Sequence, residues 1–190
     1  MKKSIIFTII TTVLLSITAP ICGFCSESNI LVTYFSCTGS TEGIANHIQN
    51  ILGGDIYEIE PEIPYTSADL NYNNSTSRAN LEQNDPSARP AISGGIDNLE
   101  DYDVIFLGYP IWWGQAPKII YTFLESYDFS GKTIAPFCTS GGSGISGAVS
   151  NIEELEPSAT VTEGLRTSPS DAEGDIAEWL ESIGLVQQEG

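Results

Sequence analysis

The sequence predicts one α/β domain, in which a five-stranded parallel sheet lies between two layers of helices. Short apolar runs rich in β-branched and aromatic residues alternate with segments whose apolar residues recur at helical spacing. This alternation is typical of parallel strands joined by crossover helices, which cover both faces of the sheet. With 190 residues, of which 41% are hydrophobic, the chain is long enough to bury one sizeable core.

The first predicted elements are a buried strand, an amphipathic helix and an edge strand. Residues 30–35 form the first strand. A helix begins near Glu42, and its apolar face consists of Ile44, Ile48, Ile51 and Leu52. Gly53-Gly54 ends this helix. Residues 55–60 alternate apolar and polar side chains, as an edge strand with one exposed side does.

A long polar segment, residues 61–97, separates these elements from the second half of the chain. It contains one short predicted helix at 76–84, where Arg78 and Glu82 are spaced to pair at i, i+4. We expect Arg78 and Arg89 to form surface ion pairs. The remaining strands are predicted at 102–107, 133–138 and 159–165, and the helices between and after them at 117–124, 147–155 and 171–183.

The first 26 residues have the features of a signal peptide. Lys2 and Lys3 precede an apolar stretch at 5–17, and cleavage near residue 26 would leave a domain of residues 27–190. We therefore expect an exported protein. If cleavage fails, residues 5–24 are about long enough to act as an N-terminal membrane anchor.

The chain after this leader is strongly acidic. The whole sequence has a net charge of −18, and beyond residue 26 five Lys and Arg stand against 25 Asp and Glu, which gives −20. This charge argues against binding to nucleic acid or to anionic membrane surfaces. It suits a protein that docks on basic patches of partners, although solubility alone would also account for it.

Removal of the leader would leave two cysteines, Cys37 and Cys138. Both are predicted at the carboxyl ends of strands that are two positions apart in the sheet, a separation of roughly 9–10 Å. A disulfide spans about 7 Å at most between Cα atoms. We therefore predict two free thiols.

A hydroxyl-rich turn, residues 36–41, lies between the first strand and the first helix. Free N–H groups at a helix N-terminus, the helix dipole and Ser and Thr hydroxyls together form an anion site. Because the turn holds no Lys or Arg, the expected ligand is a phosphate held without a charged partner. The alternative is an ordinary turn in which Ser or Thr caps the helix.

Three other kinds of phosphate loop do not fit this turn. A Walker loop requires a Lys after its second glycine, and a dinucleotide-binding turn requires three glycines where only Gly39 is present. A phosphatase-like loop with Cys37 as nucleophile would need an Arg six residues later, where Gly43 stands.

An aromatic turn, residues 108–114, follows the strand predicted at 102–107 and contains the adjacent Trp112 and Trp113. A soluble domain rarely exposes such a pair without a ligand or partner to cover it. We expect one indole to flank a ligand and the other to pack beneath the turn, although both could be purely structural. A third small-residue loop, residues 139–144, follows the strand at 133–138, and its glycines permit close approach to a ligand.

The two clearest motifs resemble those of the flavodoxin family. Ser-x-Thr-Gly-x-Thr at 36–41 is similar to the FMN-phosphate loop, and the 108–114 turn is similar to the flavin-ring loop. The resemblance spans about residues 29–185 and implies a flavodoxin-like three-layer sandwich with strand order 2-1-3-4-5. Ligands bind such sheets where the order reverses, between the first and third strands, so both loops would meet in one crevice.

The cofactor that the resemblance implies is FMN. Its phosphate would lie in the 36–41 loop and its ring between the 108–114 and 139–144 loops, with Tyr65 either touching the flavin or anchoring its own loop by packing. The predicted cofactor-binding residues are Ser36, Cys37, Thr38, Gly39, Ser40, Thr41, Tyr65, Pro110, Ile111, Trp112, Trp113, Gly114, Thr139, Gly141 and Gly142. No catalytic residue and no metal ligand is predicted, since Cys37 has no adjacent His or Arg and His47 is expected to face solvent.

The resemblance implies a redox function with two main forms. One is an exported electron carrier, which holds FMN and passes electrons between protein partners. The other is a reductase that takes hydride from NADH or NADPH and reduces a quinone or a similar small acceptor, with the 61–97 segment shaping a substrate pocket. A third form, an interaction module without flavin, would leave the crevice unused.

Overall fold

The central sheet confirms the predicted strand order 2-1-3-4-5. The computed structural model describes residues 28–185, so the predicted signal peptide at 1–26 lies outside the described residues. The strands are β1 (Ile30–Tyr34), β2 (Asp55–Glu58), β3 (Glu60–Pro61), β4 (Ile92–Ser93), β5 (Val104–Pro110), β6 (Thr133–Thr139), β7 (Thr160–Val161) and β8 (Leu165–Thr167). The main sheet runs β2-β1-β5-β6-β7 with β8 also on β6, and all of its pairs are parallel.

Helices cover both faces of this sheet, which confirms the three-layer arrangement. They are α1 (Ser40–Leu52), α2 (Arg78–Asn84), α3 (Lys118–Glu125), α4 (Ser146–Leu155) and α5 (Ala172–Ser182), with a 3₁₀ helix at Leu99–Asp101. Ile44 of α1 and Ile176 of α5 pack in one core with Phe106 of β5. Ile119 of α3 and Ile152 of α4 pack in the other core with Leu107. Neighbouring residues of β5 therefore face opposite layers.

Two predicted boundaries shift at the sheet edge that carries the loops. The strand predicted to end at residue 107 continues to Pro110, because Gly108, Tyr109 and Pro110 pair with Phe137, Cys138 and Thr139 of β6. The helix predicted from Glu42 begins at Ser40. Along that helix Ile51 is 48% exposed, so its predicted place on the buried face is wrong. Among the described residues, no helix is long and apolar enough to cross a bilayer.

The last strand of the sheet is split into β7 and β8. Ile134 pairs with Val161 and Phe137 pairs with Leu165, so three residues of the edge strand lie opposite two of β6. One of these two is Pro136, which has no N–H to donate to a neighbouring strand. The interruption coincides with that missing donor, and Trp179 Nε1 donates instead to the carbonyl of Glu163 at 2.8 Å. Because β8 pairs with Phe137, Cys138 and Thr139 of β6, the strand continues to Thr167, beyond the predicted end at 165.

The 61–97 segment is anchored at both ends. It was predicted as a polar connection with one helix, but Glu60–Pro61 and Ile92–Ser93 form an antiparallel pair at its base. Between them, Thr66 N and Oγ1 donate to Asp69 Oδ2 at 2.8 and 2.6 Å, and Ala79 N donates to Asp69 O at 3.0 Å. These bonds tie the first part of the segment to the N-terminal end of α2.

Candidate functional site

A cavity of about 470 Å³ opens at the carboxyl ends of β1 and β5, where the strand order reverses. Both predicted loops reach it, together with the loop after β6. The predicted residues that line it are Ser36, Cys37, Thr38, Ser40, Thr41, Pro110, Ile111, Trp112, Thr139 and Gly141. The remaining predicted residues, which are Gly39, Tyr65, Trp113, Gly114 and Gly142, lie in or beside the same loops but not on its wall. The structure therefore brings the three loops together in one crevice.

The 36–41 turn presents hydroxyls and a helix N-terminus to this cavity. Gly39 has a φ of 80° in the left-handed region, and its N–H donates to Ser36 Oγ at 3.1 Å. Ser40 and Thr41 lie in the first turn of α1, whose N–H groups have no partner within the helix. The only acidic residue of that turn, Glu42, is exposed and is not part of the wall. The turn therefore offers hydrogen-bond donors to an anion.

A hydroxyl contact joins the first and third loops. Thr41 Oγ1 and Thr139 Oγ1 lie 2.9 Å apart. Thr41 is buried and Thr139 is half-buried. None of the described residues that line the cavity is Lys or Arg, which agrees with a site that neutralises an anion through N–H and O–H dipoles.

The two tryptophans point to different environments. Trp112 is buried, with 4% of its surface exposed, and lines the cavity. Trp113 is 40% exposed and stacks on Tyr72, with the ring centroids 4.3 Å apart. The sequence did not say which indole would be buried, and the structure shows that it is Trp112, while Trp113 is open to solvent. Tyr72 belongs to the 61–97 segment, whose path could not be derived from the sequence, so its stacking with Trp113 was not foreseen.

The aromatic turn is tight and conformationally strained. Trp112 N donates to Gln115 O at 2.9 Å, and Gln115 N donates to Trp112 O at 3.0 Å. The two central residues, Trp113 and Gly114, have φ values of 48° and 78°. Glycine adopts this region freely, whereas a bulky side chain such as that of Trp113 does so rarely. The surrounding contacts must therefore hold the turn in place.

Tyr65 lies behind Trp112 and supports it. Tyr65, Trp112 and Phe35 meet edge to face, with ring centroids 5.2–5.8 Å apart. The Tyr65 hydroxyl donates to Glu82 Oε2 at 2.6 Å, and burial together with this carboxylate raises the pKa of Tyr65 well above its usual range. Tyr65 lines a second cavity of about 400 Å³ rather than the first. Its observed environment thus matches the packing role that was one of its two predicted roles.

The chain's similarity to known proteins agrees with this arrangement. The sequence model of the family described as Flavodoxin matches residues 29–183. The chain belongs to the flavodoxin family. A candidate flavoprotein from Bacteroides eggerthii DSM 20697 is 46% identical, with a TM-score of 0.76 over 84% of this chain and 99% of that one. A similar protein from Bacteroides uniformis ATCC 8492 is 40% identical, with a TM-score of 0.74 over 79% and 98% of the two chains.

A more distant member of the comparison carries a ligand. A flavoprotein from Lactobacillus acidophilus NCFM, solved in complex with FMN, is 23% identical, with a TM-score of 0.62. The match covers 80% of this chain and 98% of that one, and at this identity it shows a shared fold. No curated protein matches the chain.

Outside the three predicted loops, sequence reasoning missed five residues of this flavodoxin-family cavity. Leu70 and Tyr72 come from the 61–97 segment, and Thr167, Ser168 and Pro169 follow β8. Thr167 is buried, and its hydroxyl donates to Asp175 Oδ2 at 2.6 Å. A signal for the 167–169 turn was present, because it is a fourth small hydroxyl-rich turn at the carboxyl end of a strand. It was overlooked because the strand was predicted to end at residue 165.

The two cysteines of the described residues are free thiols, as predicted. Cys37 is half-buried on the cavity wall and Cys138 is buried. Burial raises the pKa of the Cys37 thiol to about 11, and the nearby Arg78 guanidinium offsets only part of this rise. Burial likewise raises the pKa of Cys138 to about 12. Both side chains are therefore neutral at pH 7, which agrees with a packing role for Cys37.

The raised pKa of Cys37 predicts slow alkylation by iodoacetamide. The thiolate is the reactive form, so the rate should keep rising between pH 8 and pH 10 without a plateau. The folded protein holds this proton more tightly than the unfolded chain. Its contribution to stability is therefore complete below about pH 8.5 and is lost as the pH rises towards 11. Cys37→Ser provides the background rate, and a plateau below pH 9 would contradict the assignment.

Proposed function

We propose that this protein binds FMN non-covalently and acts as an exported electron carrier between protein partners. The observation that carries the proposal is the cavity itself. An uncharged, hydroxyl-rich helix N-terminus and a buried tryptophan line the same crevice of a flavodoxin-family fold. Support also comes from the Lactobacillus acidophilus protein of the same fold, which was solved with FMN.

The residues present fit the phosphate of FMN. The 36–41 turn and the first turn of α1 would hold it through main-chain N–H groups and the hydroxyls of Ser36, Thr38 and Ser40. A helix N-terminus preceded by a turn of this kind binds phosphate without a cation. Thr41 is already engaged with Thr139, so its hydroxyl would tie the phosphate loop to the loop beside the ring.

The residues present also fit the flavin ring. Ile111 and Trp112 supply an apolar wall, and the wall continues through Leu70 and Tyr72 of the 61–97 segment. A volume of about 470 Å³ is in the range that takes one cofactor-sized ligand. When bound, FMN would supply the redox chemistry, while the chain fixes its orientation and surroundings. The excess of negative charge disfavours a further negative charge at the site, which favours a low-potential electron donor.

The neighbouring cavity argues for a carrier rather than for a nicotinamide-dependent reductase. It shares Ser36 and Cys37 with the first cavity and has room for a second ligand of about 400 Å³. Its wall, however, carries Glu58, Glu60 and Glu62. Burial and the neighbouring Glu60 and Glu42 raise the pKa of Glu58, as expected for crowded acids. Such a wall repels the pyrophosphate of NADH or NADPH.

The acidic surface supports protein partners with basic docking patches. Five cations remain after the leader. Two of them pair with glutamates, Arg78 with Glu82 and Arg89 with Glu125, both at 2.7 Å, as predicted. Complementary charge would speed the encounter of carrier and partner, and would do so less at high salt. Export rests on the leader and is tested by asking whether the full-length chain reaches the extracytoplasmic fraction of cells.

Anaerobic reduction distinguishes the candidate functions. The protein is loaded with FMN, freed of excess flavin and mixed with NADH or NADPH, and then with dithionite, while the visible absorbance of the flavin is followed. In a carrier, the flavin should stay oxidised for minutes with either nicotinamide and should be bleached by dithionite. Rapid bleaching by a nicotinamide would make it a reductase, and failure to retain flavin would leave the interaction module.

A further inference from the structure

We propose that Gln83 is a positioning residue, which holds the four-residue turn 112–115 at the end of the aromatic turn. This role rests on the proposed binding of FMN. Gln83 lies on α2 in the 61–97 segment, is half-buried and does not line the cavity. It acts through the turn that carries Trp112, and it would fix that turn before the flavin binds.

The amide of Gln83 uses all of its hydrogen atoms on this turn and its flank. Nε2 donates to the carbonyl of Trp112 at 3.1 Å and to the carbonyl of Ala116 at 3.2 Å. Oε1 accepts from the N–H of Lys118 at 3.1 Å. An amide has two donor hydrogens, and both are engaged here. One side chain thus joins the start of the turn, its end and the helix that follows.

Two of the three main-chain groups, the Lys118 N–H and the Ala116 carbonyl, need such a partner, whereas the Trp112 carbonyl also accepts from Gln115 N at 3.0 Å. Lys118 is the first residue of α3, where N–H groups have no acceptor within the helix. The carbonyls of Trp112 and Ala116 flank Trp113 and Gly114, whose positive φ values keep the local chain from continuing the ladder of β5. Removing the amide would leave the Lys118 N–H and the Ala116 carbonyl without the partner that Gln83 supplies, and would remove one of the two bonds to the Trp112 carbonyl, which loosens a strained turn.

The residue before Gln83 supports the same tryptophan indirectly, through Tyr65. Glu82 accepts from the Tyr65 hydroxyl at 2.6 Å and pairs with Arg78 at 2.7 Å. Arg78 lies over the Tyr65 ring, 4.0 Å from its centroid, and Tyr65 packs edge-on against Trp112. Consecutive residues of α2 therefore restrain the main chain and the indole of Trp112. The short helix in the polar segment, which resembles a simple surface connection, fixes the ring side of the cavity.

Two substitutions at Gln83 separate hydrogen bonding from shape. Gln83→Met keeps the length of the side chain and removes all three hydrogen bonds. It should weaken FMN binding at least 10-fold and shift the flavin midpoint potential. Gln83→Glu keeps an acceptor for Lys118 N but turns a carboxylate towards two carbonyls. It should weaken binding further at pH 8 and recover as the pH falls towards 5, because a protonated carboxyl donates again.

Asn84 offers matched controls on the same helix. It is exposed, and within residues 28–185 its side-chain amide bonds only to Asn80. Asn84→Met and Asn84→Glu should bind FMN within 3-fold of the unchanged protein, with no recovery of affinity at low pH. Unchanged affinity and potential in folded Gln83→Met, or the absence of pH-dependent recovery in Gln83→Glu, would overturn the proposal.

Hydrogen exchange without flavin keeps this test apart from that of the proposed function. If the unchanged protein fails to bind FMN, the proposed function fails, but the effect of Gln83 on the 112–115 turn can still be measured. Amide exchange across residues 112–118 should be at least 10-fold faster in Gln83→Met than in Asn84→Met. Equal exchange in the two variants would show that Gln83 does not position the turn.

Discussion

Ser40→Asp is expected to weaken FMN binding about 100-fold or more while leaving the fold intact. Ser40 is the first residue of α1 and lines the cavity beside the proposed phosphate position. Two unit charges about 5 Å apart repel by about 3 kcal/mol at an effective dielectric constant of about 20, which corresponds to roughly 100-fold in affinity. An acidic residue in the first turn of a helix is favourable, so the unliganded protein should not lose stability.

Ser40→Asn is the matched control, because it has nearly the same shape without the charge. It should bind FMN within about 10-fold of the unchanged protein, which is roughly the effect of one hydrogen bond. Riboflavin, which lacks the phosphate, should bind Ser40→Asp and Ser40→Asn with similar affinity. Equal FMN affinities in the two variants would place the phosphate elsewhere.

Gly108→Ala is expected to destabilise the fold by about 3 kcal/mol, because its Cβ has no room. A Cβ at Gly108 would lie 2.2 Å from Phe137 Cζ and 2.4 Å from Cε2. Phe137 is fully buried on β6, directly across from Gly108, so its ring cannot swing into solvent. In a domain of this size the loss should lower Tm by roughly 6–12 °C. Thermal unfolding followed by circular dichroism measures it.

Gly43→Ala is the control for the same chemical change in open space. Gly43 lies inside α1, and a Cβ there meets nothing within 4 Å. It should raise stability by about 0.5–1 kcal/mol, because alanine loses less backbone entropy in a helix. Adding Phe137→Leu to Gly108→Ala should recover part of the lost stability, because leucine lacks the ring atoms that the new Cβ would meet. Similar Tm values for Gly43→Ala and Gly108→Ala would refute the steric account.

Local patterns were sufficient to predict the parts of this protein that depend on neighbouring residues. The buried run at 30–35 and the hydroxyl-rich turn after it required only side-chain type and spacing, and both lie where they were expected. The strand order followed from the resemblance and from crossover rules. In contrast, the extension of β5 to Pro110 depends on pairing with β6, which the break in pattern at Gly108 concealed.

Long-range contacts explain most of what could not be predicted at the site. Tyr72 reaches Trp113 across 41 positions of the chain, and Gln83 reaches Trp112 across 29. Neither residue type has a pattern that marks such a role in a polar segment. The orientation of the two tryptophans likewise depends on the positive φ of Trp113, which no propensity predicts for a bulky residue.

The most direct test of the central claim is a parallel titration of the purified protein with FMN and with riboflavin, followed by flavin fluorescence. If the 36–41 turn binds the phosphate, FMN should bind one to one and about 100-fold more tightly than riboflavin. That ratio corresponds to about two hydrogen bonds to a charged group. Equal affinities for the two flavins, or no binding of either, would contradict the account.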